Sequence, residues 1–515
     1  MRPSIFAVAV LFGSTACRPA LEPAPKGASS PVSAEVVAAW EKAGAKFGRV
    51  TVGGDGAWTF RGEPPAAQVL RAWEAGELPA FRFAAWPDAE LRKLPTPEVR
   101  FALDFSPLLS VTDDRAKQLA DMNNLTALSM ANTKLTDIGV KHICDRNQLT
   151  ELDLSTTEVT DIGASELAKM TGLTALDLRY TKVTDAGASE LAKLAGLNKL
   201  SLSLTKVTDV GVKDFARLKN LTALNLASTG VTDAGVKQLA GLKHLTVLHL
   251  AGSSVMDAGV KAVTATHPNL TVLSLGGTRA TNAALKDVST LNNLSKLYLS
   301  GDMESHTGLG QLAALKNLTE IHLSGKGVTD DWLKEVAAVK QLKVLNIYLT
   351  KVTDGGLQNL AGLSHLTRLT LASTAVSDEG IRKLAGLKNL TALNLSQTLV
   401  TDAVLMDLAT LANLTDVDLS ATGVTDAGLK GLAQLNKLTD VNLSATAVTD
   451  DGLKNLAVLS NLTKLDLSYA MITDAGAKNL SALKNLTELN LHNTKVTDAG
   501  LKKLQEALPQ CTILR

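Results

Sequence analysis

The chain has 515 residues, 45% of them hydrophobic, and its 52 Lys and Arg residues against 51 Asp and Glu residues give a formal net charge of +1. Such a balance offers no electrostatic attraction to nucleic acid or to an acidic partner, so neither is expected as a ligand. The longest apolar run, residues 5–13, is much shorter than the roughly 20 residues that span a bilayer, which argues against an integral membrane protein. The three cysteines fit neither a disulfide framework nor a zinc pattern, and no metal or cofactor is expected.

The first 17 residues, MRPSIFAVAVLFGSTAC, combine an early Arg, an apolar segment and small residues before Cys17. This arrangement is typical of a secretory signal peptide. It resembles a bacterial lipoprotein signal, in which the cysteine is lipidated and becomes the mature N-terminus, although Ser14 stands where that signal usually has Leu. Simple cleavage near Ala16 is the alternative. The segment predicts secretion across the inner membrane and a location at the cell envelope, with a lipid on Cys17 as the only link to a membrane.

The next two segments differ sharply in composition. Residues 18–32 are rich in Pro, Ala and Ser and predict a flexible tether. Residues 33–99 contain four of the five tryptophans and four phenylalanines, and residues 78–83, LPAFRF, have the spacing of a worn repeat. Because an open-ended stack of repeats needs a terminal unit that covers its first hydrophobic layer, residues 33–99 are expected to be an N-terminal cap with degenerate repeats. A separate small functional domain is the alternative.

From Leu125 the chain divides into sixteen units with a period of 24 residues, one of them lengthened to 25, and a degenerate unit precedes them. The array thus covers residues 100–511, and residues 512–515 close it. The shared pattern is L-x-x-L-x-L-x-x-T-x-V-T-D-x-G-L-x-x-L-x-x-L-x-N. Positions 4 and 6 alternate as in a strand, whereas positions 16, 19 and 22 have helical spacing. Each unit therefore predicts a strand, a turn and a helix that bury their leucines by stacking on the neighbouring units.

This pattern resembles that of leucine-rich-repeat proteins, specifically the ribonuclease-inhibitor-like type and the cysteine-containing type found in F-box substrate receptors. It is most similar to many-repeat secreted or lipid-anchored bacterial members, over about residues 100–515. The resemblance implies an α/β leucine-rich-repeat solenoid, a curved horseshoe with a parallel β-sheet on the concave face and helices on the convex face. One departure is position 9, where the family has Asn or Cys and twelve of the sixteen units have Thr. A Thr hydroxyl can also bond the neighbouring backbone.

Several tempting motifs belong to the repeat itself. Asp occupies position 13 in fourteen of the sixteen units, as at Asp161. Thr-Asp before a helical run is expected to supply an N-cap and a carboxylate at the positive helix end, not acid–base chemistry. Gly at position 15, as at Gly187, predicts either close packing or an unusual backbone angle. Asn-Leu-Thr, as at Asn220, looks like a glycosylation signal but marks the seam between units.

In this family positions 3, 5, 7 and 8 project from the concave sheet, and all four tyrosines of the chain fall on these positions. Tyr is enriched in binding surfaces because it offers a large contact area at a low entropy cost. Two histidines share position 5 with one of the tyrosines. The combination predicts a ligand-binding sector made of His249, Tyr298, His322, Asn346 and Tyr348.

Residues 245–350, which contain this sector, are irregular in other ways. The unit at Leu294 replaces VTD by GDMESHTG, and Trp332 takes a slot usually held by Gly. Genetic drift within one repeat is the alternative interpretation. His249 and His322 are three strands, about 14 Å, apart, which is too far to share a zinc ion. Nearer the C-terminus an acidic cluster on the same face could receive a basic partner or a cation, or could be ordinary solvated surface: Asp416, Asp418, Asp440 and Asp466.

No phosphate-binding loop, nucleophile elbow or reachable Cys/His pair is present in the sequence, so catalysis is not expected. The sequence predicts a non-catalytic scaffold that presents a concave surface to a protein or peptide ligand at the cell envelope. One alternative is an F-box-type substrate receptor for ubiquitin ligation, which needs a helix bundle that residues 33–99 do not resemble. The other is a purely structural envelope protein. A fold of this kind specifies a surface and not a partner.

Overall fold

The computed structural model describes residues 32–53, 58–62, 77–87, 91–119, 122–145, 148–300 and 308–515. The expected signal peptide with Cys17, and all but the last residue of the expected tether, lie outside the described residues, as does the irregular turn at residues 302–306. No helix in the described part is long and apolar enough to cross a membrane.

Strands and helices alternate along the described chain, as the two periodicities predict. The strands are β1 (Ala45–Val52), β2 (Trp58–Gly62), β3 (Leu78–Phe83), β4 (Phe101–Asp104), β5 (Leu125–Ser129), β6 (Glu151–Asp153), β7 (Ala175–Asp177), β8 (Lys199–Ser201), β9 (Ala223–Asn225), β10 (Val247–His249), β11 (Val272–Ser274), β12 (Lys296–Ser300), β13 (Glu320–Ser324), β14 (Val344–Tyr348), β15 (Arg368–Thr370), β16 (Ala392–Asn394), β17 (Asp416–Asp418), β18 (Asp440–Asn442), β19 (Lys464–Asp466), β20 (Glu488–Asn490) and β21 (Thr512–Leu514).

The helices are short, and several units continue or replace the α-helix with a 3₁₀ turn. The α-helices are α1 (Ala34–Lys42), α2 (Asp113–Ala116), α3 (Asp137–Cys144), α4 (Asp161–Leu167), α5 (Asp185–Leu191), α6 (Asp209–Val212), α7 (Asp233–Gln238), α8 (Asp257–Thr266), α9 (Ala284–Val288), α10 (Asp330–Val336), α11 (Asp354–Leu357), α12 (Asp378–Arg382), α13 (Leu405–Leu408), α14 (Leu429–Leu432), α15 (Asp450–Leu456), α16 (Asp474–Leu480) and α17 (Asp498–Ala507). The 3₁₀ turns are Leu91–Lys93, Lys117–Leu119, Lys213–Arg217, Leu239–Gly241, Leu309–Ala314, Gln358–Gly362 and Asp402–Val404.

The described strands form one sheet. Strands β3 to β21 are parallel and follow chain order, whereas β1 pairs antiparallel with both β2 and β3. Equivalent positions of successive units face one another, as Leu224 faces Leu248. Position 4 of every unit must enter the same core, and the constant register follows from that requirement.

The core lies between the sheet and the helices. Leu224 and Leu226, at positions 4 and 6, are buried, as is Val236 of the following helix. A single hydrophobic core runs from Val32 to Cys511 in the described chain, which confirms the predicted α/β solenoid of stacked units. Trp332 is 2% exposed and belongs to this core, so it adds nothing to an exposed surface.

Each strand ends in a turn with an unusual backbone. Position 8 has a positive φ in every unit where the structure describes it, including non-glycine residues such as Ser228 at 54°. The Thr at position 9 then donates its hydroxyl to the strand it has just left, as from Thr229 to the Leu226 carbonyl at 2.6 Å. Tyr180 and Tyr469, both at position 8, therefore lie in turns rather than on strands, and each is well exposed.

The Asp of one unit completes the turn of the next unit. Asp161 Oδ1 accepts hydrogen bonds from Thr184 N at 2.7 Å and Gly187 N at 3.0 Å, and its Oδ2 accepts one from the Thr184 hydroxyl at 2.6 Å. Thr184 is the N-cap of its own helix and accepts a hydrogen bond from Ala186 N. The motif does cap helices as expected, but Thr supplies the N-cap and the carboxylate binds the following unit.

This link also explains the glycine at position 15. A Cβ atom on Gly187 would lie 2.5 Å from Asp161 Oδ1. Gly187 is not among the residues with positive φ. Of the two explanations that the sequence leaves open, close packing is therefore the one that applies at this position.

Aromatic side chains cover the N-terminal end of the core. Trp40 of α1 is 1% exposed and stacks on Phe81 with ring centroids 4.5 Å apart, and the Phe101 ring meets it edge-on at 5.9 Å. The Trp40 indole N–H donates to the Pro95 carbonyl at 2.8 Å. Large rings at this end bury the apolar layer that the first unit would otherwise expose.

The β1–β2 hairpin has a second role, because it folds over the sheet. We call the side of the sheet that points away from the helices, with positions 3, 5 and 7, the open face. Val50 of β1 packs on a row of open-face alanines, Ala80, Ala102 and Ala127, and Trp58 and Phe60 pack against the same cluster. Lys199 Nζ of β8 donates to the Val52 carbonyl at 2.7 Å. The hairpin therefore lies across the open face from β3 to β8.

Candidate functional site

The open face is covered at its N-terminal end and accessible from β9 onward. The position-5 side chains of β4 to β8 are all buried, with exposures of 4% or less: Asp104, Ser129, Asp153, Asp177 and Ser201. From Asn225 of β9 to Asn490 of β20 the same column is at least partly accessible, with the exception of Ser274. The strands available to a ligand on this face are therefore β9 to β20.

The covered part contains two neighbouring carboxyl groups, Asp153 and Asp177, which face each other across β6 and β7. Asp153 accepts a hydrogen bond from the Ser129 hydroxyl at 3.1 Å, and Asp177 pairs with Arg179 at 2.7 Å. Burial raises the pKa of both groups, and together with repulsion from Asp153 it raises the pKa of Asp177 to about 7. Both groups are buried, and the hairpin contacts the open face on either side of them, at Ala127 of β5 and Lys199 of β8, so they are inaccessible to a ligand in this arrangement.

The five predicted site residues, which we call the aromatic sector, lie together on β10 and β12 to β14. His249, Tyr298, His322 and Asn346 occupy one column of the open face, with Ser274 between the first two. The Tyr298 and His322 rings stack with centroids 4.2 Å apart and an interplanar angle of 15°, and the His249 ring is 6.1 Å from Tyr298. Strands β12 to β14 have five residues, whereas β9 to β11 and β15 to β20 have three, so the sheet is wider here than on either side.

The stacked pair is held by charged residues that the sequence analysis overlooked. Glu320 Oε1 accepts from His322 Nε2 at 2.7 Å, and Glu320 Oε2 pairs with Lys296 Nζ at 2.9 Å. Burial alone would raise the pKa of Glu320, but the hydrogen bonds from His322 and Lys296 outweigh it and hold that pKa below its usual value. Lys296 and Glu320 both occupy position 3 and are in register, a pattern of opposite charges in successive units that could have revealed them.

The remaining two residues of the aromatic sector differ in their surroundings. Asn346 Oδ1 is buried and has no hydrogen-bond partner within the described residues. Tyr348, at position 7 of β14, is in register with Ser324 and is half-buried. The described part of the chain contains no ring contact between Tyr348 and Tyr298, so Tyr348 extends the accessible aromatic surface along the strand instead of joining the stack.

A groove follows the aromatic sector toward the C-terminus. It has a volume of about 370 Å³ and lies on β15 to β20, and we call it the C-terminal groove. Two cationic residues, Arg368 and Lys464, and five carboxylates line it, so the lining has a formal charge of −3. The predicted acidic cluster accounts for four of the carboxylates, and Glu488 is the fifth. The carboxylates are Asp416, Asp418, Asp440, Asp466 and Glu488.

The two cysteines of the described chain are poor nucleophiles. Burial raises the pKa of Cys144 to about 12 and that of Cys511 to about 11, so neither free thiol is a thiolate near neutral pH. In the described ranges no three His, Cys, Asp or Glu side chains are grouped as metal ligands. The accessible part of the open face presents stacked aromatic rings, hydrogen-bond acceptors and negative charge.

Family models support the repeat assignment. A model described as "Leucine Rich repeat" matches residues 147–168, 169–192, 217–240, 362–385, 410–433 and 434–457, and one described as "Leucine Rich repeats (2 copies)" matches residues 460–503. The chain contains leucine-rich repeats, and its fold is that of a leucine-rich-repeat solenoid. No curated protein matched its sequence.

Solved structures of other leucine-rich-repeat proteins are similar in fold. A TLR13–ssRNA13 complex has 19% identity and a TM-score of 0.52, over 78% of this chain and 64% of that chain. A leucine-rich-repeat protein from Leptospira interrogans has 22% identity and a TM-score of 0.44, over 81% of this chain and 100% of that chain. The ectodomain of a membrane receptor kinase from Arabidopsis thaliana, solved in complex with CASPARIAN STRIP INTEGRITY FACTOR 2, has 15% identity and a TM-score of 0.35, over 79% and 58%.

Proposed function

We propose that this leucine-rich-repeat protein is a non-catalytic scaffold that binds another protein or a peptide through the open face, the concave face of the expected horseshoe. The observation that carries the proposal is the Tyr298–His322 stack. Most other units have small or polar residues in that column, and the repeat does not require rings there. Half-buried aromatic residues on an accessible sheet are typical of binding hot spots.

Two further features support the aromatic sector as the contact region. The Glu320–His322 hydrogen bond and the Lys296–Glu320 ion pair fix the ring of His322 before any ligand arrives, which lowers the ordering cost of binding. Asn346 Oδ1 is a buried acceptor that lacks a partner among the described residues, and a ligand donor would satisfy it. A rigid platform beside an unfilled acceptor suits a polypeptide ligand.

Nucleic acid is a weaker candidate for the ligand, although the balanced net charge does not exclude it. The TLR13 structure is a complex with single-stranded RNA, and that protein has the same type of fold. The C-terminal groove of the present chain has a formal charge of −3, which repels phosphate groups. We therefore favour a protein or peptide partner.

We also propose a location at the cell envelope, with Cys17 lipidated after removal of the signal peptide, and repeats of the ribonuclease-inhibitor-like type. An F-box-type receptor is less consistent with the described part of residues 33–99, which contains one α-helix and three strands instead of a helix bundle.

The proposed lipid anchor is tested by the variant Cys17→Ser, which should release the protein from membranes. Membrane retention of this variant, with an unchanged mass of the mature N-terminus, would contradict the anchor.

The binding proposal is tested by pull-down from an envelope fraction with the full chain, followed by affinity measurement with the partner so identified. We expect Tyr298→Ala to weaken binding about thirtyfold, since truncation of a hot-spot aromatic residue costs about 2 kcal/mol. Asn225→Ala, in the same column but three strands away, is the matched control. If Asn225→Ala weakens binding as much as Tyr298→Ala, recognition is not centred on the aromatic sector.

A further inference from the structure

We infer that the C-terminal groove receives an extended polypeptide segment that carries Arg or Lys at every third residue. The inference rests on the proposed binding role of the open face and names the chemistry of the partner there. It is carried by unpaired carboxylates, by their spacing, and by a polypeptide that the same face already holds.

Within the described residues, four of the five carboxylates of the C-terminal groove form no ion pair, whereas three other carboxylates on the open face do. Asp104 pairs with Arg82, Asp177 with Arg179, and Glu320 with Lys296. By contrast, the acidic cluster of the groove forms no ion pair within the described part of the chain, and Lys464 pairs instead with Glu488 at 3.7 Å. The groove lining therefore has an excess of negative charge, formally −3, that a cationic partner would neutralise.

Neutral donors hold two of these carboxylates in fixed orientations. Asp418 Oδ1 accepts from Ser420 N at 2.9 Å and its Oδ2 from the Asn394 amide at 3.2 Å. Asp466 is held in the same way, by Ser468 N at 2.8 Å and by the Asn490 amide at 2.9 Å. Because each carboxylate oxygen accepts about two hydrogen bonds, both groups keep capacity for a guanidinium or an ammonium.

The spacing of the two carboxylates selects the partner. Asp418 and Asp466 are in register on β17 and β19, with Asn442 of β18 between them. Two strand spacings amount to about 9.6 Å. A polyproline II segment repeats every third residue with a rise of about 9.3 Å, so basic side chains at that interval project from the same side and meet both carboxylates.

A second row of acidic groups reinforces this preference. Asp416 and Asp440 are in register on adjacent strands at position 3. Burial raises the pKa of Asp440, and repulsion from Asp416 adds to it. A cation bound between the two rows would relieve this repulsion, which favours Arg or Lys over a neutral donor.

We assign the ligand of the groove as a polypeptide because a segment of this chain, the β1–β2 hairpin, already packs on the open face. The hairpin lies over β3 to β8, where Val50 packs on small side chains and the Val52 carbonyl accepts from Lys199. Main-chain segments thus fit against this surface, and the groove continues it beyond the aromatic sector.

The test uses the full chain and a defined probe, the blocked peptide Pro-Pro-Arg-Pro-Pro-Arg-Pro-Pro, with binding measured by calorimetry. We expect binding that weakens from about 50 mM to about 300 mM NaCl, as screening requires. Asp418→Asn with Asp466→Asn, which keeps one acceptor oxygen at each site, should reduce the affinity at least about tenfold. Asp114→Asn with Asp331→Asn, at exposed positions of α2 and α10, removes the same charge and should have little effect.

Three outcomes would overturn the inference: no binding of the arginine peptide, equal binding of a peptide with Gln in place of both Arg residues, or equal loss in the two double variants. None of these decides the proposed function, which is tested separately by the effect of Tyr298→Ala on the captured partner. If Tyr298→Ala and Asn225→Ala are equivalent while the arginine peptide binds as expected, the groove remains a binding site and the aromatic sector does not.

Discussion

Two carboxyl groups from adjacent strands, those of Asp153 and Asp177, are enclosed beneath the hairpin, where water cannot solvate their charges. Burial raises both pKa values, and that of Asp177 reaches about 7. Ionisation of these groups is therefore more costly in the folded chain than in the unfolded chain. Their contribution to the free energy of unfolding must fall as the pH rises.

We expect Asp177→Asn to stabilise the protein at about pH 8 and to have a much smaller effect near pH 4. The folded pKa is above the unfolded value of 3.8, so the contribution of the carboxyl group is fully present below that value and is lost as the pH rises through about 7. Because Asn cannot ionise, the variant does not lose this stability as the pH rises. The free energy of unfolding of the variant at about pH 8 should exceed that of the parent by more than about 1.4 kcal/mol, the equivalent of one pKa unit. Thermal unfolding across this pH range is the measurement, with Asp331→Asn as an exposed control, and a difference between variant and parent that stays constant with pH would contradict the expectation.

Gly187 gives a second prediction for a single residue. Its N–H donates to Asp161 Oδ1, and a Cβ atom would lie 2.5 Å from that oxygen. Gly187→Ala should therefore lower the free energy of unfolding by about 1–3 kcal/mol, through the lost hydrogen bond and the displaced carboxylate. Urea denaturation is the measurement. Gly386→Ala, where the nearest atom to a new Cβ is 3.7 Å away, is the matched control and should be nearly neutral.

At the scale of elements, the hairpin is the part of the open face that can move without unfolding the solenoid. Its far end is held by the Lys199–Val52 hydrogen bond, and Arg82 lies over the Phe60 ring at 4.2 Å. There Val50 packs on open-face side chains in a cluster separate from the leucine core, although Ala45 and Phe47 at the start of β1 belong to that core. Contacts of this kind open more readily than a core does.

We expect Lys199→Gln to accelerate hydrogen exchange of the β1 and β2 amides roughly tenfold, the equivalent of about 1.4 kcal/mol. Exchange in β9 and beyond should not change. The control is Lys182→Gln, whose lysine forms an exposed pair with Glu158 on the surface of the array. Unchanged protection of the hairpin in the Lys199 variant would mean that other contacts hold its far end.

The elements also show what could be predicted from the sequence. The 24-residue period predicted strands, helices, register and the column shared by Tyr298 and His322, because each follows from local spacing. The covering of Asp177 by the hairpin could not be predicted, since it depends on contacts between residues 147 positions apart in the chain, as between Val52 and Lys199. The hydrogen bonds of the Asp161 carboxylate to the following unit were not predicted for a similar reason, because the pattern within one unit does not show which groups of the next unit it contacts.

At the scale of the whole molecule, the continuous hydrophobic core is built from interfaces between neighbouring units. Leu369→Ala, at a fully buried position in β15, should cost about 2–5 kcal/mol. Hydrogen exchange should show the loss mainly in the units next to β15, because stability in a repeat array is a sum over neighbours. Leu399→Ala, at a site that is 63% exposed, is the control. A uniform loss of protection from β4 to β21 would contradict this description.

The bonds from Asp161 to Thr184 and Gly187 make the array directional, since the Asp of one unit accepts from the turn of the unit that follows it. The same link joins Asp209 to Thr232 and Asp426 to Thr449. A ribosome delivers the chain from its N-terminus, so a newly made turn that needs such a carboxylate meets one on the preceding unit, which has already folded. Assembly can therefore proceed one unit at a time, in step with synthesis. A circular permutant that begins in the middle of the array would present a first turn without that template and should assemble more slowly.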